Sequence, residues 1–317
     1  MVVSVKRSHW TLLLQIAISV LLIGMLIRRI PLHESAAAMA RVRPQSVVIA
    51  VVLSLIGYWG RSYRWSTLLA RAGIRIPAVR SYCITLVGIC YGLVTPGRVG
   101  EFARILHLRL PRSQTLPSVV WDRLIDVLLL ETMSLPAFLF FPQWRGPMMW
   151  LFFGVVALTI VVVLLLDHPK SLLAVGRALP FARTPLLRWS EASSGTLRSP
   201  AFLSGIAGGV FFYLFSYAAA WLLVQDLAPG ASPLLYLSLP IIPLLGNLPI
   251  AFGGLGLREH VSATVFGQLG LGVGVGPVFS LLWFATATLA PGLVGLLLSP
   301  TPWAKLEAQT LTPEPRP

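Results

Sequence analysis

Charge is what this sequence has least of. Asp, Glu, Lys and Arg make up 11% of its 317 residues, where a soluble domain carries roughly 25%. Apolar residues make up 56%, and mean hydropathy is +0.79. This balance leaves no room for a sizeable soluble domain and defines a polytopic membrane protein built as one membrane domain. Cysteine is scarce too. Cys83 and Cys90 lie two turns apart on one helix face, too far for a bridge within one helix, and read as small buried residues. Lysine occurs only at Lys6, Lys170 and Lys305. The histidines are scattered, with no His-Glu-x-x-His spacing, so no metal and no other cofactor is expected. There is no G-x-x-x-x-G-K-[ST] run either, so direct use of ATP is not expected.

What charge there is has one sign and one residue type. Lys and Arg number 25 against 11 Asp and Glu, a net charge of +14, and most of it is arginine. In a membrane chain such an excess anchors cytoplasmic loops to anionic lipid. The basic residues are spread between apolar runs and form no basic module, which argues against nucleic acid as a partner. Guanidinium forks fit phosphate and carboxylate better than ammonium does.

The chain is organised around Thr95-Pro96-Gly97-Arg98-Val99-Gly100-Glu101-Phe102-Ala103-Arg104. An apolar run enters it, and Pro96 and Gly97 stop or kink the helix. Arg98, Glu101 and Arg104 then share one face of the helix that restarts. A second stretch, Pro249 to Glu259, repeats the pattern: Gly253, Gly254 and Gly256 precede Arg258 and Glu259. Either stretch alone reads equally well as a loop between spans. Paired Pro/Gly-interrupted apolar segments in two halves of a membrane protein point to a transport site.

Along the chain, residues 10–27 form an uncleaved first span and residues 31–45 a short interfacial helix. A second span covers residues 46–65. It ends in Arg61, Arg64 and Trp65, which read as interface anchors reaching for headgroups. Residues 82–94 are too few to span and suit a re-entrant segment. Next, Asp122, Arg123, Asp126 and Glu131 enter an apolar helix that runs to Phe141. Ionisable groups inside a span are costly and mark function; a structural ion pair is the plainer alternative. Spans follow at residues 150–166, 202–224 and 277–298. The basic loop 167–200 is cytoplasmic by the positive-inside rule, and residues 226–232 form a weakly charged turn outside. If residues 82–97 and 234–258 each enter and leave on one side, both basic loops fall inside, and Arg41 and Arg43 fall outside. The expected architecture is all-α and polytopic, with about eight helical segments and two broken re-entrant ones. Residues 1–303 form the membrane domain, and 304–317 a disordered tail.

Arg61, Arg64-Trp65, Pro96-Gly97-Arg98-Val99-Gly100-Glu101, Arg104, Asp122-Arg123, Asp126 and Gly253-Gly254-Leu255-Gly256-Leu257-Arg258-Glu259 occur in the order found in the transmembrane region of lysylphosphatidylglycerol synthase. The chain resembles this flippase-like family over nearly its whole length. Two positions depart from the family's habit: Asp122, often Glu, and Gly92, often Asn. The resemblance implies an integral membrane protein of the bacterial inner membrane that moves lipid between leaflets, such as a phospholipid, a hopanoid or a polyprenyl-linked lipid. It also implies a separate soluble aminoacyltransferase domain in the synthases. No such domain follows the last span here, so lysyl transfer by this chain alone is not expected.

The expected site then has Arg98 and Arg258 contacting a headgroup phosphate. Glu101 and Glu259 hold those arginines or meet an amino group, and Arg104, Asp122, Arg123 and Asp126 complete the set. Free amides at Gly97, Gly100, Gly253, Gly254 and Gly256 add a backbone phosphate cradle. The chain is read as a transporter of a membrane lipid and not as an enzyme. Two alternatives compete: a membrane-embedded enzyme on a lipid-linked substrate using Glu101, Asp122 or Asp126 as base, and a lipid-binding scaffold for a separate lipid-modifying enzyme.

Overall fold

The computed structural model describes residues 32–93, 95–108, 110–141, 146–168, 193–246 and 256–298, together with Gly24 and Trp189. The expected first span, most of the basic loop, the tail and the centre of the second break, residues 247–255, lie outside the described residues.

The described residues are all-α, without strands. The helices are α1 (Leu32–Ala40), α2 (Pro44–Arg71), α3 (Ala78–Leu93), α4 (Arg112–Phe140), α5 (Pro147–Asp167), α6 (Pro200–Leu227), α7 (Ile241–Gly246), α8 (Leu257–Gln268) and α9 (Val275–Leu297). A 3-10 helix, Pro96–Leu108, joins α3 to α4, and a shorter one, Pro233–Ser238, precedes α7. Helices α2, α6 and α9 are each long and apolar enough to cross a membrane. Exposed Leu, Ile, Val and Phe side chains along α5 and α6 form the surface expected to face lipid. Several helices begin on the proline their sequence supplies: Pro44, Pro147 and Pro200 each sit in the first turn, where a missing N–H costs nothing.

The centre of the bundle is the crossing of α2 with α6. A Cβ added at Gly60 would stand 2.4 Å from the Gly208 carbonyl oxygen, and one at Gly208 would stand 2.5 Å from that of Gly60. Small residues let helix backbones touch where lipid supplies no hydrophobic drive for association. The far end of the pair is fixed by Asp226. It accepts from the Arg43 backbone N–H at 3.0 Å and from Arg43 Nε at 2.8 Å. The start of α2 and the end of α6 therefore share one side. Because the obstruction at Gly60 is backbone rather than a movable side chain, Gly60→Val forces the two helices apart. We expect it to lower stability by about 1–3 kcal/mol or more, read as a shifted thermal unfolding transition in detergent.

The chain does reverse at Pro96. The 3-10 helix folds back antiparallel on α3: Arg104 packs on Gly88, Glu101 on Gly92, and Gly100 on the Tyr91 carbonyl. The helix that restarts is 3-10 and not α, a difference from the sequence expectation. At three residues per turn, positions i and i+3 eclipse one another, so Glu101 and Arg104 project together against α3; Arg98, at φ 55°, departs from helical backbone and turns away from them toward Thr288. Two other expectations change. Helix α8 begins at Leu257, within a stretch read as a broken apolar run. Near the end of the chain, α9 carries a π-helical stretch, Ala285–Leu289, that nothing in its composition announces.

Candidate functional site: a cavity walled by arginines

Two helices supply charges in matching pairs. On α2, Arg61 and Arg64 lie one turn apart; on α4, so do Asp122 and Asp126. The crossing brings the pairs together. Arg64 Nε donates to Asp122 at 2.6 Å, and Arg64 reaches Asp126 at 3.0 Å. Arg61 reaches Asp126 and Glu101, each at 3.2 Å. From the 3-10 helix, Arg104 donates to the other Asp122 oxygen at 2.5 Å, while its guanidinium lies over the Trp65 ring at 4.4 Å. Arg123 bonds Glu101 and stands 3.5 Å from Asp126. The Tyr213 hydroxyl donates to Asp126 at 3.0 Å. Arg61 and Arg64 are 3% and 0% exposed. They are buried cluster members, and the headgroup-anchor reading is corrected: α2 runs on to Arg71, which leaves both well inside the helix.

Beside this cluster lies a cavity of about 80 Å³, lined from α2, the 3-10 helix, α4, α6, α7, α8 and α9. Of the residues expected at the site, Arg98, Arg123, Asp126 and Arg258 reach it; Glu101, Arg104, Asp122 and Glu259 do not line it. Arg98 and Arg258, from interrupted segments far apart in sequence, therefore share one wall-to-wall space.

These two arginines differ from the others. Among the described residues, Arg98 meets only the Thr288 hydroxyl, at 3.5 Å. It also has φ 55°, the one positive φ outside glycine among the described residues. That conformation costs on the order of 1–3 kcal/mol and gathers at functional sites. Arg258 is buried with its guanidinium 4.2 Å from the Phe284 ring centre. Its nearest carboxylate oxygen, on Glu259, is 4.0 Å away, and its Nε and Nη2 have no hydrogen-bond partner. Gly246 on α7 makes room for it, since a Cβ there would stand 2.0 Å from Arg258 Cγ.

The backbone cradle is narrower than the sequence suggests. The Gly100 N–H donates to Thr95 Oγ1 at 2.6 Å, and the Gly256 N–H donates to Glu259 Oε2 at 2.7 Å. Both amides are taken by their own segments, so neither is free for an anion. Gly97 opens the 3-10 helix, and Gly253 and Gly254 lie outside the described residues. Glu259 is likewise occupied: its other oxygen accepts from Ser280 at 3.1 Å. Anion recognition here falls to side-chain guanidiniums.

Sequence reasoning missed the aromatic part of the wall. Tyr58, Phe212, Tyr213, Trp283 and Phe284 line the cavity, and Tyr58 donates to the Ala287 carbonyl at 2.8 Å. That carbonyl belongs to the π-helical stretch, where one extra residue per turn loosens the backbone ladder; such bulges recur at functional sites.

An all-α fold with spanning helices and a buried ionic site defines an integral, multi-pass membrane protein. The profile of the family described as the lysylphosphatidylglycerol synthase TM region matches residues 12–295, and the chain belongs to that family. It is also similar to a UPF0104 membrane protein, PH1989, of Pyrococcus horikoshii, 24% identical over 166 residues that cover 50% of each chain. The match thus spans about half the length of that relative. A Cβ at Gly92 would stand 2.6 Å from Glu101 Cγ, and Asp122 sits between two guanidiniums at 2.6 and 2.5 Å.

Proposed function

We propose that this protein moves a lipid with an anionic headgroup between the leaflets of the bacterial inner membrane. One observation carries the reading: Arg98 and Arg258, one from each interrupted segment, line the same buried cavity with no carboxylate in hydrogen-bond contact among the described residues. A charged headgroup does not enter hydrocarbon unaided, because each unsatisfied polar group costs several kcal/mol there. A cavity of arginines inside the bundle replaces its water while the tails stay in lipid. Residues 82–97 and 234–258 act as re-entrant segments that carry the two arginines to that depth.

The reading is of a transporter and not an enzyme. Asp122 and Asp126 have their oxygens engaged by arginines and Tyr213, and Glu101 is bonded by Arg61 and Arg123. Carboxylates so occupied hold the cavity open and are poorly placed to act as bases. The membrane domain comprises residues 1–303, with 304–317 as a tail, and membrane lipid is the partner. A separate lipid-modifying enzyme is the natural source or consumer of the cargo.

Mass spectrometry of lipids that co-purify in gentle detergent tests this. We expect one anionic class to be enriched with the parent protein and lost in Arg98→Asn, Arg258→Gln. Asn is chosen because it tolerates positive φ. A bulk-lipid profile identical in both would return the two motifs to structural breaks.

A further inference from the structure

We infer that the cavity receives a dianionic phosphate terminus, that is, a lipid phosphomonoester. This narrows the transport reading above and rests on it. The first argument is charge. Arg61, Arg64, Arg104 and Arg123 are answered by Glu101, Asp122 and Asp126. Arg98 has only a hydroxyl, and Arg258 has Glu259 beyond hydrogen-bond reach. Six guanidiniums thus face four carboxylates, an excess of two positive charges. Each unpaired buried ion costs several kcal/mol, and two of them lining one cavity also repel. A group carrying two negative charges cancels the excess. A phosphodiester leaves one charge over, an uncharged headgroup or an aminoacyl phosphodiester with one ammonium leaves both, and one with two ammoniums adds to them.

The second argument is the donor pattern. Nε and Nη2 are the two N–H groups along one edge of the Arg258 guanidinium. Both are buried and unpartnered, and such a pair binds two oxygens of one phosphate once the side chain turns toward the cavity it lines. The Phe284 ring covers the guanidinium's face. Arg98, held at φ 55°, adds a second cation along the same wall. A terminal phosphate offers three oxygens to such donors; a diester offers two.

The test is binding to the purified full-length protein in detergent, with three probes: phosphatidic acid, phosphatidylglycerol and inorganic phosphate. At pH 8 we expect phosphatidic acid to bind about tenfold tighter than phosphatidylglycerol, the gain from one more charge-assisted contact. A phosphomonoester takes up its second proton near pH 6. At pH 5 it is therefore a monoanion, and the advantage should vanish while phosphatidylglycerol binding holds. This comparison needs no variant. Arg258→Gln should also erase the advantage at pH 8.

Equal affinity for the two lipids at pH 8 would overturn the dianion inference and leave the anionic-lipid reading standing. Binding of neither lipid would overturn both. Inorganic phosphate binding as tightly as phosphatidic acid would show that the tails contribute nothing, and would overturn a lipid as the source of the phosphate.

Discussion

Asp122→Asn should destabilise the protein more than any other single exchange in the charge cluster, by about 3–5 kcal/mol. Asp122 is 0% exposed and accepts from Arg64 and Arg104 on two different segments. Its loss strands Arg104 and leaves Arg64 with Asp126 alone, where no water reaches either guanidinium. A broken buried pair is strongly destabilising because the remaining partner keeps its desolvation cost. The carboxamide offers one acceptor oxygen where the carboxylate offered two, and turns N–H donors toward cations. The consequence is long-range, since Arg104 also anchors the 3-10 helix against Trp65. We expect a markedly lower thermal transition in detergent and a smaller folded yield. Adding Arg64→Met and Arg104→Met should recover part of the loss, because the stranded charges then go as well. A transition unchanged from the parent in Asp122→Asn would mean the cluster does not hold the helices together.

Arg258→Gln should have the opposite signature. Its guanidinium has no hydrogen-bonded carboxylate to strand, so removing it takes away a buried cost rather than a pair. Thermal stability should hold or rise, while affinity for an anionic lipid falls by about 10- to 100-fold, the worth of a charge-assisted hydrogen bond. Sites kept for binding at the expense of stability behave this way. Loss of folding together with binding would instead place Arg258 among the structural arginines. Six chemically identical side chains in one bundle thus divide into two groups by a single physical criterion, whether a carboxylate is bonded to them.

Much of this was legible in the sequence, for reasons that can be named. The break at Thr95–Arg104 stands out because proline and glycine interrupt an apolar run, and the 3-10 helix that follows packs back on α3 there. Intramembrane Asp122, Arg123 and Asp126 stand out because charge is so rare in this chain. The pairing was not legible. Arg61 and Arg64 beside Trp65 look like the end of a span, and only the length of α2 shows that they are not. The available signal was spacing: two arginines one turn apart on one helix match two aspartates one turn apart on another. The occupied amides were half legible, since Glu259 three residues after Gly256 is capping-box spacing, whereas the Thr95 hydroxyl on Gly100 follows from a 3-10 geometry that composition does not reveal. The aromatic wall was invisible because Tyr58, Phe212 and Trp283 sit in apolar helices where any large side chain reads as core.

The most direct test of the central claim is leaflet exchange of a labelled anionic lipid in vesicles holding the purified protein, compared with vesicles holding Arg98→Asn, Arg258→Gln. The account predicts protein-dependent exchange with the parent and none above empty vesicles with the double variant, at equal insertion and equal thermal stability. Equal exchange by both proteins would contradict it, because lipid would then cross without the two unpaired arginines.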